Sequence, residues 1–579
     1  MPTHKKPGRA KSLAGQLKKL EESRTLRGPQ SAAQVERLLK GFQNLSFRNT
    51  NSLLRFHDSL LFLRAFPQSA EVARRADSLL GTIVSHVARL RESGASLESL
   101  DSEKFSGIAG TCLTDTFTYE VALWLARRFP QQIKAAWDFD EQARRLGAAL
   151  PRFLPLLDDD SLVEADTPFA KWMEKAGGKQ DAFSWLIEQI ARSPIPVAHK
   201  TELYDALGIE LDWELENSRA SRTLARRDVG SLFLHTEPLL RRNQVSLKDE
   251  LAAAPLEVRK LDREEGEAVL DMCREAVTVR YRELYGTTRG DPESVHEARV
   301  GRGVQIFLWG LPPGRRLPLR AYHAGFTLKN GVPVNYIEGI SLFEWMEVGF
   351  NTFYAYRDGE TAWIYAKVLH FLHQLTGVTC ISVYPYQLGH ENEEAIQSGA
   401  FWFYRKLGFR PGRRDLLALT EKEEQKIAKR RKYRTSPQIL RRLAAGHVFY
   451  EFGPEAHGAW DSFSTRNFGF AVQQRMAEKF AGNADAILQS ARVNLENVLK
   501  VDSAELSAEE RSAFDTFAFA MSLVPDLPHW SHNDKQALLK IILAKADPDE
   551  TIYLRLLQRH ARLREEFLRL GSQEREQGK

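Results

Sequence analysis

Cysteines are scarce in this chain, and long apolar runs are missing. The three cysteines, Cys112, Cys273 and Cys380, are far apart and lack the C-x-x-C spacing of zinc and redox sites. This excludes a disulfide framework and predicts buried free thiols. The longest apolar runs, such as Val304–Leu311, fall far short of the roughly 18 residues that a bilayer helix needs. No histidine, cysteine or carboxylate cluster has ligand spacing, so we expect no metal site and no membrane.

Positive charge is concentrated at the N-terminus. The formal net charge is +5. Residues 1–28 contain Glu21 and Glu22 but eight basic residues, Lys5, Lys6, Arg9, Lys11, Lys18, Lys19, Arg24 and Arg27. This local excess is larger than that of the whole chain, so the remainder is near neutral. We expect residues 1–31 to form a disordered arm, and no nucleic-acid contact beyond one made by that arm. No apolar stretch follows these charges, which argues against a secretory signal and favours a cytoplasmic location.

Helical periodicity dominates both ends of the chain. Apolar residues recur at intervals of three and four, as in the segment from Leu53 to Ala65, and prolines punctuate the pattern. The sequence therefore predicts an α-helical region over residues 32–250 and a second one over residues 456–579.

Residues 251–455 alternate between strand and helix patterns. Strands are predicted at Leu256–Leu261, Val304–Leu311, Tyr322–Leu328, Val332–Phe343 and Thr379–Tyr384. Asn330 and Gly331 are typical of a tight hairpin turn. Helices are predicted from Asp262 to about Tyr285, from Gly359 to a stop at Gly377, and from Glu393 to Leu407 after an Asn392 cap. Thr420 to Glu423 is typical of a capping box that opens a further helix. The fold class is α+β, with a mixed central domain between helical regions.

Two motifs in the central domain point to chemistry. The segment Tyr356-Arg-Asp-Gly-Glu-Thr-Ala362 places a glycine turn before a helix, where free backbone N–H groups can face a phosphate. The second motif, Ala400-x-x-x-Tyr404-x-x-x-Gly408-Phe409, closes a helix with a glycine stop.

These motifs and the order of elements resemble the GNAT superfamily of N-acyltransferases. The resemblance covers the central region and implies an acyl-CoA cosubstrate such as acetyl-CoA, with a small-molecule or protein amine as the acceptor. It implies that the pyrophosphate lies on the glycine turn, where the matching residues are Tyr356, Arg357, Gly359, Thr361 and Ala362. Tyr404 matches the family tyrosine that protonates the leaving thiolate. Gln397, seven residues earlier, stands where the family has a cofactor-binding asparagine.

The resemblance also implies a proton acceptor for the amine. Glu338 is our candidate base because burial among apolar neighbours can raise the pKa of a carboxyl. Glu344, Glu347 and His323 are further candidates.

Asp358 and Glu360 depart from the family pattern. Two carboxylates beside a pyrophosphate repel it, and both can cap the following helix without any ligand. A catalytically inactive GNAT-like binding or scaffold module is therefore one alternative. An aminoacyl-tRNA-dependent acyltransferase is another, to which the basic arm would contribute.

Overall fold

The computed structural model describes residues 13–43, 45–154, 167–430, 432–453 and 457–572. The chain divides into two compact units. The first comprises the residues up to Pro238 with Leu270–Thr288 and Asn330–Pro333; the second comprises Leu239–Val269, Arg289–Lys329 and the chain from Val334 onward. None of the described helices is both long and apolar enough to cross a bilayer.

The first unit is mainly helical around a small sheet. Its helices are α1 (Leu13–Ser23), α2 (Pro29–Lys40), α3 (Thr50–Ala65), α4 (Ala70–Leu80), α5 (Ile83–Glu92), α6 (Tyr119–Arg128), α7 (Phe139–Ala149), α8 (Phe169–Gly177), α9 (Ala182–Arg192) and α10 (Val197–Asp205). Strands β1 (Cys112–Asp115), β2 (Ile133–Ala136) and β3 (Glu210–Glu214) form an antiparallel sheet in the order β1-β3-β2. Trp213 and Leu211 of the central strand are fully buried.

Two features of this unit differ from the prediction. The described part of the expected disordered arm contains helix α1, whose Leu17 and Leu20 are fully buried. Residues 1–12 lie outside the described part of the chain. The three short strands were missed because four or five residues are too few to interrupt a helical periodicity. The α+β class itself is confirmed.

The second unit is built on a nine-stranded sheet. The strands are β4 (Val258–Lys260), β5 (His296–Arg299), β6 (Val304–Trp309), β7 (Ala321–Lys329), β8 (Val332–Leu342), β9 (Trp345–Thr352), β10 (Cys380–Val383), β11 (Arg410–Pro411) and β12 (Val448–Glu451). Their order is β11-β12-β10-β9-β8-β7-β6-β5-β4. Strands β9 and β10 run parallel.

Helices follow in the order α11 (Leu247–Leu251), α12 (Arg263–Thr278), α13 (Tyr285–Thr288), α14 (Thr361–Thr376), α15 (Pro385–Leu388), α16 (Glu393–Ser398), α17 (Ala400–Arg405), α18 (Arg414–Lys429) and α19 (Pro437–Leu443). The C-terminal helices are α20 (Arg466–Phe480), α21 (Ala484–Leu499), α22 (Ala508–Met521), α23 (His532–Ala544), α24 (Glu550–Gln558) and α25 (Ala561–Gly571). Part of α12 and all of α13 are assigned to the first unit. Helix α14 makes the crossover between the parallel strands β9 and β10.

Most predicted turns and caps of the central region are confirmed. Asn330 and Gly331 both adopt positive φ, as a tight hairpin turn requires, and Gly377 ends α14 in the left-handed conformation. The predicted helix start at Thr420 is wrong, because α18 already begins at Arg414. The hydroxyl of Thr420 donates to the Leu416 carbonyl from the middle of that helix.

The predicted boundary at residue 456 does not separate two units. Trp460 stacks on Trp345 of β9 with ring centroids 5.2 Å apart, and its indole N–H donates to Glu344 at 2.7 Å. Arg564 of α25 forms an ion pair with the same carboxylate. The C-terminal helices therefore share one hydrophobic core with the central sheet.

Candidate functional site

The parallel strands β9 and β10 separate partway along their length. Cys380, Ile381 and Ser382 pair with Trp345, Met346 and Glu347. Strand β9 then continues to Thr352, whereas β10 ends at Val383. The backbone of β9 beyond Glu347 therefore faces a gap in the sheet, and its polar groups on that side need other partners.

Gln387 of α15 fills this gap. Its side-chain oxygen accepts from the backbone N–H of Phe350 at 3.4 Å and from the Tyr404 hydroxyl at 3.3 Å. The neighbouring Gly349 gives it room, because a Cβ added there would lie 2.9 Å from the Gln387 side-chain nitrogen. Two donors from different elements thus converge on one carbonyl oxygen. This is the arrangement that polarises a carbonyl group.

Tyr404 lies among other aromatic rings on the core side of the gap. Its ring is 5.7 Å from that of Tyr365 and 5.6 Å from that of Phe409, which packs back on the helix after the Gly408 stop, as predicted. Burial raises the pKa of Tyr404 well above its usual range, so the hydroxyl stays protonated at neutral pH. The Tyr365 hydroxyl is also buried and makes no hydrogen bond to any residue that the structure describes. Such an unpaired group favours a bound polar molecule or water nearby.

Candidate proton acceptors lie beside the gap on β8 and β9. Glu338 is opposite Gly349 in the ladder and accepts from the Tyr322 hydroxyl. Burial raises the pKa of Glu338 more than this hydrogen bond lowers it. Glu347 on the same face of the sheet is 3.0 Å from Nε2 of His447. Carboxylate and imidazole groups are the usual general bases, so this face suits deprotonation of an amine.

The contacts of Glu344 and the burial of His323 indicate structural roles for both residues. Glu344 is held by Trp460 and Arg564, as described above. His323 is 2% exposed, and burial lowers its pKa so that the ring is neutral.

The predicted phosphate turn has a mixed outcome. Tyr356 is buried, and its carbonyl accepts the N–H of Gly359 at 2.9 Å, so that N–H is occupied within the turn. The Arg357 guanidinium stacks on Tyr354, donates to the Thr352 carbonyl and forms an ion pair with Glu394. The Tyr356 carbonyl and the Arg357 side chain are therefore already engaged within the protein.

The start of α14 follows this turn. Thr361 and Ala362 begin the helix, and the side chain of Glu360, the residue before Thr361, makes no capping hydrogen bond. The expectation that Glu360 caps the helix is therefore wrong. The N-terminus of a helix favours an anion when a ligand is present.

Glu360 is turned into the protein. Its carboxylate is fully buried and accepts from Arg302 Nε at 3.0 Å, from Lys329 Nζ at 3.3 Å and from the Leu240 N–H at 3.0 Å. Burial acts to raise the pKa of Glu360, but the Arg302 hydrogen bonds and the Lys329 charge outweigh it, and the net pKa is lowered. Two cations neutralise this carboxylate, so the repulsion of a phosphate that its sequence position predicts is reduced.

Gln397 does not share a helix with Tyr404. The predicted helix from Glu393 to Leu407 is broken at Gly399, which adopts φ +68° and ψ +39° and separates α16 from α17. Gln397 is exposed on α16. The seven-residue spacing that linked it to Tyr404 assumed a continuous helix, and that assumption is wrong.

Sequence reasoning missed Gln387 and the Phe350 N–H. The only local signal for Gln387 was its position just after β10, and backbone groups carry no sequence signature. No protein-family model matches this chain, and no curated protein or solved structure does. In the described ranges, no group of three or more histidine, cysteine or acidic side chains is arranged to hold a metal ion.

Proposed function

We propose that the second unit is an acyl-CoA-dependent N-acyltransferase. The observation that carries the proposal is the convergence of the Phe350 N–H and the Tyr404 hydroxyl on the Gln387 side-chain oxygen, at the gap between β9 and β10. That oxygen belongs to an amide carbonyl, which is planar and accepts hydrogen bonds as a thioester carbonyl does. Gln387 would act as a placeholder that an acyl group displaces.

Each neighbouring group has a role in this proposal. The Phe350 N–H would hold the acyl oxygen as negative charge develops on it, and the protonated Tyr404 would donate to the departing sulfur. Glu338, or Glu347 with His447, would accept the proton of the amine. The start of α14 at Thr361 and Ala362 would hold the pyrophosphate. The resemblance to GNAT enzymes implies the same division of labour.

Calorimetry on the full chain tests the proposal. We expect acetyl-CoA or a longer acyl-CoA to bind, and Tyr404→Phe to retain binding. Thiol release in the presence of a panel of primary amines should fall by about 10²- to 10⁴-fold in that variant, the range for loss of a general acid. Tyr386→Phe, an exposed tyrosine of α15, is the matched control. Absence of acyl-CoA binding to both the natural chain and Gln387→Ala would overturn the proposal.

The second candidate is a GNAT-like binding module without catalysis. The same Gln387 contacts favour it, because a side chain that satisfies both donors can also block the gap. Gln387→Ala separates the two candidates. A natural chain that binds no acyl-CoA, together with a variant that does, would favour the blocked module.

A further inference from the structure

A dense run of positive charge lies outside the acyl site. Between Lys429 and Arg442 the sequence has seven lysines and arginines and no acidic residue. Five of these basic residues lie between positions 429 and 434. The structure describes four of them, Lys429, Arg430, Lys432 and Arg434, and all four are exposed. We call these four residues, with Arg242 and Lys406, the cationic surface.

The backbone that carries this surface is held in place. The Tyr433 hydroxyl donates to Glu423 at 2.7 Å, and Glu423 is itself fully buried in α18. The Trp402 indole of α17 donates to Thr435 at 3.1 Å, and Ser436 caps α19. The residues at these contacts are therefore held in place, so binding a ligand beside them costs less conformational entropy than it would on a flexible tail.

Three cations that are distant in sequence come together here. Burial lowers the pKa of Lys406, and the positive charges of Arg242 and Arg434 lower it further. Three acidic groups of the adjoining helices are engaged by other cations. Glu424 pairs with Arg405, Glu423 with Lys426, and Glu393 with Arg441. Like charges gathered in this way favour an anionic ligand.

We propose that the cationic surface binds the phosphodiester backbone of a nucleic acid. Several cations on one surface match a chain of regularly spaced phosphates, which is the ligand that releases most counterions. A CoA cofactor is a poorer match, because it carries only a pyrophosphate and one further phosphate, and the start of α14 is its expected site. The proposal does not depend on acyl transfer.

Fluorescence anisotropy with a labelled 20-nucleotide RNA, and with DNA of the same sequence, tests this. We expect salt-dependent binding of at least one of the two probes. Replacing Lys429, Lys432 and Arg434 by alanine removes three phosphate contacts. The affinity should fall at least 10-fold at 0.1 M salt, and the salt dependence should become shallower by about 2, since each contact contributes roughly 0.7 on single strands. RNA binding without DNA binding would identify contacts to the 2′-hydroxyl.

Two further variants make the test specific. Replacing Lys479, Lys535 and Lys540 by alanine changes the net charge equally. It should leave binding within about twofold, because these lysines lie on α20 and α23, outside the cationic surface. Replacing Lys5, Lys6, Arg9 and Lys11 by alanine should retain most of the binding. Equal loss in all three variants, or loss in the N-terminal variant alone, would overturn the proposal. A second outcome would also overturn it. In that outcome the natural chain binds CoA but neither nucleic-acid probe, and the variant at Lys429, Lys432 and Arg434 loses the CoA binding.

Discussion

Replacing Glu360 by glutamine perturbs a buried ion cluster of the second unit. The substitution keeps the shape of the side chain and removes its charge. Glu360 and Lys329 both have fully buried side chains, and Arg302 is mostly buried. Removing one member of a buried ion pair typically costs about 3–5 kcal/mol, because the remaining cation stays desolvated and unpaired. Glutamine can still accept from the Leu240 N–H, so we expect about 3 kcal/mol.

Hydrogen exchange of the α14 amides measures this cost directly. Since about 1.4 kcal/mol corresponds to a tenfold change, 3 kcal/mol predicts exchange roughly 150-fold faster in this helix. Glu393→Gln is the matched control, because its pair with Arg441 is 62% and 52% exposed and is worth at most about 1 kcal/mol. An α14 exchange rate that changes less than fivefold in Glu360→Gln would refute the account of a buried, charge-compensated cluster.

The same cluster predicts a pH dependence. Glu360 has a lowered pKa in the folded chain, so its contribution to stability is fully present above its unfolded pKa of about 4.3. The contribution is lost as the pH falls from there through the lower folded value. In Glu360→Gln, α14 protection should therefore depend less on pH below about 4.3 than it does in the natural chain.

Further substitutions test other parts of the second unit. Gly377→Ala should destabilise α14 by about 1 kcal/mol, measured by the same exchange, because Gly377 has φ +79° and alanine is strained there. Gly349→Ala should push the Gln387 side chain away from the Phe350 N–H and speed exchange of that amide, with little change at Val348. Arg564→Met leaves Glu344, which is 7% exposed, without its cation and should cost about 3 kcal/mol in urea unfolding.

Much of the central fold could be predicted because its signals are local. The Asn330-Gly331 turn, the Gly377 helix stop and the five central strands each depend on a few neighbouring residues, and each is confirmed. The break at Gly399 was missed because a glycine within an amphipathic pattern reads equally well as a tolerated helix residue. The short sheet of β1, β2 and β3 was missed because pairing between segments distant in sequence stabilises it, and a local pattern does not show such pairing.

The candidate site was less predictable, because the role of a charged residue depends on where its side chain points and on its distance from other charges. The sequence does not show either. Sequence placed the Glu360 carboxylate beside a phosphate, whereas the side chain turns inward to Arg302 and Lys329. Net charge likewise concealed the cationic surface. A near-neutral average over the body of the chain is compatible with a run from Lys429 to Arg442 that has no acidic residue. Local charge is therefore a better guide to a polyanion site than the total.

Gln387 determines how the site can work. An entering acyl thioester has to replace two hydrogen bonds that Gln387 already receives, with its carbonyl oxygen at the Phe350 N–H and its sulfur at the Tyr404 hydroxyl. These bonds therefore yield little net binding energy. If each is worth about 1 kcal/mol to the folded chain, displacement raises the dissociation constant by up to about 30-fold. Binding must then come from the rest of the ligand, through its phosphates at α14 or an apolar chain near Tyr365. Gln387→Ala should accordingly strengthen acyl-CoA binding and leave that of free CoA unchanged, because free CoA has no thioester carbonyl to place in the gap.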